Sequence, residues 1–349
     1  MAGGSLGVIG AGDADAGRDR VDELLEDVLV GPDELARVID TCSRAVAAIP
    51  DDVLEGRRWR FLGMGSSGYA SLDAATRLRA TGHDAAAEPP AGLKATPAAH
   101  DVVCVAVSSS GRTRETIAAA DRHRGTSFVI GVTSDFASPL ADRVDALLPL
   151  VGERRETAGI ATTSFRATIA ALAMLADRAA GRQPGIGLPA AVPILASVIE
   201  ARDGWLAGAA DALDVERPVH VLGDGSRISV ALQAALMLRE APRIAATAFD
   251  TADWLHTGVY TLYPGDAVLL QRGSPADDEA VEAIRARGGR VVSTGPVPAD
   301  PAPSDVHIAL PDAASADPVL RSLVEPVVAE LLSIELWRRA HATLIGDVP

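Results

Sequence analysis

Lysine is almost missing from this 349-residue chain: Lys94 is the only one, and nearly all the 32 basic residues are arginine. Acidic residues outnumber basic ones, the formal net charge is −15, and no basic run occurs. A nucleic-acid partner is therefore excluded, and any anion must be held by local groups. The Arg and Ala bias is read as the mark of a GC-rich genome. Aromatics make up only 3%. Cysteine is limited to Cys42 and Cys104. Two scattered cysteines form neither a disulfide framework nor a zinc site, and Cys104, inside "VVCVAV", reads as a buried strand residue. A basic start followed by an apolar stretch is lacking at the N-terminus, so no signal peptide is expected. The apolar helix candidate around Ile169 to Ala176 is flanked by Arg166 and Asp177 and is too short to span a bilayer. A cytoplasmic protein with no membrane partner is the expectation.

What is present is an alternation. Residues 1 to about 20 are rich in Gly, Ala and Asp and read as a flexible start. "VIGAGDAD" is not a dinucleotide fingerprint, because Asp15 stands at the place of the third glycine and no strand precedes it. Helical spacing follows, broken near Gly31-Pro32. Then "WRFLGMG", "DVVCVAVS", "SFVIGVTS" and "VDALLPL" read as strands, with helices near 69–81 and 113–124 and a long helix at 163–180. Apolar runs of this kind separated by helices indicate a parallel sheet covered on both faces. Gly and Pro concentrate in "GRQPGIGLPAAVP", which reads as a linker.

The pattern then returns. "FLGMGSSG" is echoed by "VLGDGSRI", and "VVCVAVSSSGRTRET…" more loosely by "AVLLQRGSPADDEAV…". The expected fold is α/β: two doubly wound, flavodoxin-like parallel-sheet units in tandem. The expected division is an N-terminal segment and helix at 1–34, a first domain at 35–182, a linker at 183–192 and a second domain at 193–349. The last element is expected to be a helix over about 318–343.

The loops after the strands carry the chemistry. Ligands of such sheets sit at the carboxyl ends of the strands, and the helix N-termini there favour anions. Ser66 and Ser67 follow the first strand, and Ser108, Ser109, Ser110 and Thr113 follow another. Gly65 and Gly111 let the backbone approach closely. A single Ser-rich turn is equally well a helix cap. Two at equivalent strand ends point to one phosphate, enclosed without a basic side chain. In the second half "GSPADDEA" replaces "SSSGRT"; Asp277, Asp278 and Glu279 would repel a phosphate, so one phosphate site per chain is expected, in the first half. Glu240 closes a helix just before Pro242, where a carboxylate meets the unfavourable end of the helix dipole; a solvent-facing Glu beside Arg239 explains it as well. His256 lies in "FDTADWLHTGVY", and the histidines at 83, 100, 123, 220, 307 and 341 form no metal-like pair.

Together, "GMGSSGYAS", "VSSSGRTRET", "LMLREAPRIAATAF", "DWLHTG" and the two-copy layout resemble the sugar isomerase (SIS) domain family, in particular the isomerase half of glutamine–fructose-6-phosphate transaminase. The resemblance covers roughly residues 35 to 347. It implies that Ser67, Ser108, Ser109, Ser110 and Thr113 hold a sugar phosphate, with Ser109 where the transaminase usually has Gln. Glu240 falls on the carboxylate that moves a proton between C1 and C2 of the sugar. His256 falls on the ring-opening residue that the neighbouring subunit supplies. "IATTSF" resembles the family's "STK" segment, with Thr162 and Thr163 kept and Ser164 in place of lysine, which makes Thr162 a candidate sugar contact. "HTGVY" departs from the usual His-Gly-Pro. There is no glutaminase portion, and "LIGDVP" carries no lysine to form the Schiff base of the transaminase tail, so imine catalysis is not expected unless Lys94 substitutes.

The expectation is a homodimeric phosphosugar isomerase, or a related deaminase or deglycase, with its site near the subunit interface. Its substrate would be a hexose or amino-sugar 6-phosphate, converted through an enediol or enolamine. No metal or organic cofactor is implied. The rival expectation is a non-catalytic sugar-phosphate-binding regulatory protein that keeps the serine loops and does not use the acid/base pair. A scaffold that binds no phosphate is the third, disfavoured by the paired serine loops.

Overall fold

The computed structural model describes residues 11–55, 57–91, 95–150, 156–297 and 305–346. The chain opens with two helices, α1 (Ala11–Leu29) and α2 (Gly31–Ala47), separated at the Gly31-Pro32 break. A first α/β layer follows: β1 (Arg58–Gly63), α3 (Ser66–Ala80), β2 (Ala85–Glu88), β3 (Val102–Val107), α4 (Arg114–His123), β4 (Phe128–Thr133), β5 (Ala146–Pro149) and α5 (Thr163–Ala179). Helices α6 (Ala191–Glu200) and α7 (Leu206–Leu213) lead to the second layer. That layer comprises β6 (Val219–Gly223), α8 (Ile228–Glu240), β7 (Ala246–Asp250), the short α9 (Thr251–Trp254), β8 (Ala267–Gln271), α10 (Ala276–Ala286), β9 (Arg290–Gly295) and β10 (Val306–Ala309). The chain continues through α11 (Asp312–Ala316), α12 (Pro318–Val324) and α13 (Pro326–Gly346).

Both sheets are five-stranded and wholly parallel, and both have the same order: β2-β1-β3-β4-β5 and, read from the other edge, β7-β6-β8-β9-β10. The expected α/β fold with its internal duplication is therefore present. In this order the chain reverses direction across the sheet between the first and third strands, and crevices open at their carboxyl ends. The central strands β3, β6 and β8 are buried on both faces, as near-continuous apolar runs require. One apolar cluster runs from Val21 to Trp337 and includes residues of both sheets, with Trp59, Phe61, Val105, Val221 and Leu269 among its members.

Several element ends differ from the sequence expectation. The N-terminal helix begins at Ala11, so the flexible start does not extend to residue 20; Val21, Leu24 and Val28 are buried, and α1 packs on α13. Within the Gly/Pro-rich stretch, Leu188 and Ala191 are buried, and the chain is already helical at Ala191. The final helix is divided at Glu325 into α12 and α13. Cys42 and Cys104 are both buried free thiols, and burial pushes each up to about 12. Among the described residues no helix is long and apolar enough to cross a membrane.

Candidate functional site

The two serine loops leave neighbouring strands at one level. Gly63 and Val107 end β1 and β3 and are register partners. α3 begins at Ser66, three residues earlier than its apolar spacing suggests, so Ser66 and Ser67 form its first turn. Helix geometry leaves their amides without intrahelical acceptors. Among the described residues neither hydroxyl has a hydrogen-bond partner; both side chains are half-buried. Gly65 takes φ 53°, a left-handed value that swings the chain from strand into helix.

The second loop is held from outside. The Ser109 carbonyl accepts from the Ser134 amide at 2.8 Å and the Thr133 hydroxyl at 3.0 Å. The Gly111 carbonyl accepts from the Leu140 amide at 3.1 Å. Gly111 has φ 64°, and a Cβ there would run into Ser138 and lie 2.9 Å from Thr133 Oγ1. Ser108 Oγ and Thr113 Oγ1 are 3.0 Å apart, and Ser108 is buried. Ser110 Oγ accepts from the Arg112 amide at 3.2 Å, and Arg112 pairs with Asp135 at 2.9 Å. The amides of Ser109 and Ser110 donate to no acceptor among the described residues. Two free amides, small hydroxyls and the start of α4 thus offer hydrogen-bond donors of the kind an anion accepts.

The second half shows what this cradle looks like when a carboxylate fills it. Asp277 Oδ2 accepts from the amides of Gly273 and Ser274, at 2.6 Å each, and Asp277 is buried. In the loop after β6, Asp224 accepts from the Ser226 amide and hydroxyl, at 2.9 and 2.6 Å, and pairs with Arg227 at 2.8 Å. Both anion positions of the second half are thus taken by its own side chains. Asp277 occupies the place as well as carrying the repelling charge.

Glu240 is the last residue of α8 and keeps contact with solvent. Partial burial pushes its carboxyl above the usual range; Arg239 opposes this and Glu156 adds to it. Further up α8, Gln233 Nε2 donates to the Ala161 carbonyl at 2.9 Å, beside the start of α5. α5 follows the carboxyl end of β5, so this bond joins α8 to the side of the first sheet that bears the serine loops. Among the described residues no hydrogen bond joins it to either loop.

His256 is placed elsewhere. Arg239 Nη1 reaches the Ala246 carbonyl at 2.8 Å, so Glu240 lies at the amino end of β7. His256 follows α9, beyond Asp250 at the carboxyl end of β7, and is exposed. A five-residue strand spans roughly 15 Å. Within one chain the two residues are therefore not brought together. Thr162 is fully buried, with its hydroxyl 3.3 Å from Glu156 Oε1. Lys94 lies outside the described residues. Sequence reasoning missed Glu156, although a Glu ahead of a Thr-Thr-Ser helix start is a capping signal, and it missed the Thr133–Ser134 support.

Two five-stranded parallel sheets of one order, with small-residue crevices at the switch point of the first, define an α/β fold shared with sugar-phosphate enzymes. The C-terminal domain of glucosamine-fructose-6-phosphate aminotransferase from Francisella tularensis superposes with a TM-score of 0.78 at 15% identity, covering 92% of this chain and 96% of that one. Tagatose-6-phosphate ketose/aldose isomerase from Escherichia coli gives 0.79 at 17% identity, covering 91% and 92%. In sequence, the chain is 28% identical over 336 residues to the glutamine–fructose-6-phosphate aminotransferase (isomerizing) of Pyrobaculum aerophilum. That match covers 89% of this chain and 54% of the relative, so the chain spans about half the relative's length. No family model matches the chain.

Proposed function

We propose that this chain is a sugar-phosphate isomerase, or a deaminase or deglycase of the same chemistry, built from two SIS domains divided near residues 183–192. The observation that carries the proposal is the asymmetry between the two cradles. The first keeps the Ser109 and Ser110 amides and the Ser66 and Ser67 hydroxyls for a ligand, where the second closes the equivalent place with Asp277. A tetrahedral dianion matches converging amides and hydroxyls without needing a lysine. The relatives in sequence and fold act, by their names, on hexose 6-phosphates.

With the phosphate in the Gly65–Ser67 and Ser108–Thr113 loops, Glu240 would take a proton beside the carbonyl and return it at the neighbouring carbon, passing an enediol or enolamine. A carboxyl of raised basicity suits that shuttle. His256 would open the sugar ring from a second copy of the chain, because its own Glu240 stands at the other end of β7. Thr162 would act through the turn it shares with Glu156. The same separation favours a second reading, a sugar-phosphate-binding regulator in which Glu240 and His256 never meet.

The test is proton NMR in D₂O with a panel of sugar 6-phosphates. Deuterium entering beside the carbonyl, and absent with Glu240→Gln, supports the enzyme. Phosphosugar binding without deuterium entry supports the regulator.

A further inference from the structure

The Ser109 carbonyl is held by two donors from the end of β4 and the loop behind it, the Ser134 amide at 2.8 Å and the Thr133 hydroxyl at 3.0 Å. Thr133 Oγ1 also accepts from the Asp135 amide at 3.2 Å, so its single proton is left for the Ser109 carbonyl. Thr133 is fully buried, and its hydroxyl has no water to turn to.

The direction of that carbonyl decides where the next amide points. In a trans peptide the C=O and the following N–H point opposite ways, and among the described residues no peptide bond is cis. β3 lies between β1 and β4 in the sheet. With its carbonyl drawn toward the β4 side, the Ser109–Ser110 peptide turns the Ser110 N–H toward the β1 side, where Ser66 and Ser67 stand. A neighbouring peptide is fixed in the same way. The Leu140 amide holds the Gly111 carbonyl, and the Arg112 N–H on the other side goes to Ser110 Oγ.

The second repeat lacks this device. Strand register pairs Val107 with Val132 and Gln271 with Thr294, which makes Gly273 the counterpart of Ser109 and Gly295 the counterpart of Thr133. Gly295 has no hydroxyl to offer, and the Arg321 guanidinium lies where its side chain would be. Among the described residues the Gly273 carbonyl accepts no hydrogen bond. The Gly273 and Ser274 amides are held from the front instead, by Asp277. One repeat fixes the peptide through its carbonyl and leaves the N–H free. The other fixes it through the N–H and so consumes it.

We propose that Thr133 is a positioning residue for phosphate: it touches no ligand, but its hydroxyl locks the Ser109–Ser110 peptide so that the Ser110 N–H faces the space between the two serine loops. This rests on the reading of those loops as the phosphate site. A donor aimed before the ligand arrives costs no ordering when it binds.

Thr133→Val keeps the shape and removes the hydroxyl, whereas Thr133→Ser keeps the hydroxyl. Two readouts are needed, both taken well below the melting temperature. The first is the affinity for inorganic phosphate by calorimetry. The second is the movement of the Ser110 amide signal on adding phosphate, in protein labelled with nitrogen-15 serine, the signal being assigned by its loss in Ser110→Ala. Thr133→Val should bind phosphate about 3–10-fold more weakly, the worth of one hydrogen bond, with a smaller movement of the Ser110 signal. Thr133→Ser should match the unaltered chain in both. A role in stability alone would lower the melting temperature of Thr133→Val and leave the phosphate affinity of the folded protein unchanged, which overturns the proposal. A Ser110 signal that phosphate does not move in the unaltered chain overturns the phosphate reading of the loops, and the proposal with it. Should Thr133→Val not fold, Thr133→Ser still decides: weaker phosphate binding in that variant overturns the proposal.

Discussion

Thr113 and Asp277 stand at the same place in the two repeats, each the sixth residue beyond the end of its central strand, β3 or β8. Thr113 turns its hydroxyl to Ser108, 3.0 Å away, whereas Asp277 turns its carboxylate onto the Gly273 and Ser274 amides. At this position the open cradle has a hydroxyl and the internally filled one a carboxylate. Thr113→Asp should close the first cradle in the manner of the second. Binding of inorganic phosphate or a sugar phosphate, followed by calorimetry, should fall by at least about 100-fold, through loss of the amide donors and like-charge repulsion. Unchanged affinity would place the phosphate elsewhere.

Glu240→Gln should lower the rate of deuterium wash-in by about 10²–10⁴-fold, the usual contribution of a positioned acid/base group. Its effect on stability has a definite sign. The folded protein raises the Glu240 pKa, so as pH rises past the unfolded-state value the unfolded chain ionises first. The folded state then binds more protons, and stability falls with pH until Glu240 ionises there too. Glu240→Gln removes that fall. Its melting temperature relative to the unaltered chain should therefore be higher at pH 7 than at pH 4. The opposite order would mean that Glu240 is stabilised as a carboxylate.

If His256 serves the site of a second copy, mixing Glu240→Gln with His256→Ala should restore activity that neither variant has alone. Random re-pairing of a two-fold dimer gives up to about a quarter of the unaltered activity, since half the dimers are mixed and each carries one intact site. No recovery after confirmed subunit exchange would argue against a site shared in this way.

Gly111→Ala should destabilise the fold. The left-handed φ costs roughly 1–3 kcal/mol, and contact with Ser138 and Thr133 adds a comparable overpacking cost. Urea unfolding would measure this, and a loss below about 1 kcal/mol would mean that the loop is loosely held.

Arg166 and Glu330 form a fully buried pair between α5 and α13, with Nη1 2.6 and 2.5 Å from the two carboxylate oxygens. Among the described residues, Nε and Nη2 of Arg166 find no partner. Glu330→Gln should cost about 3–5 kcal/mol by stranding the guanidinium, and Arg166→Met with Glu330→Met should recover most of that loss. A double-mutant cycle in urea checks both statements.

The α/β class, the duplication, and most strands and helices were legible in the sequence, because buried parallel strands leave unbroken apolar runs and the helices between them are amphipathic. The place of the serine loops was legible too, since they follow directly on the apolar runs of β1 and β3. β2 is different: "AAAE" carries little strand preference, and its pairing with β1 decides its state. The start of α3 was misjudged, because Ser66 and Ser67 are polar residues in a first turn, where apolar spacing has not yet begun.

The sequence by itself determined which residue types were available for an anion: hydroxyls and glycines at two strand ends of the first half, and carboxylates in the second. Only the tertiary structure decided that Asp277 turns inward, that Glu156 collects the donors of the turn opening α5, and that Glu240 and His256 sit at opposite ends of β7. Local pattern follows from backbone geometry over a few residues. Those three relationships depend on how a side chain turns or on how helices from different repeats pack, and no local spacing carries that information.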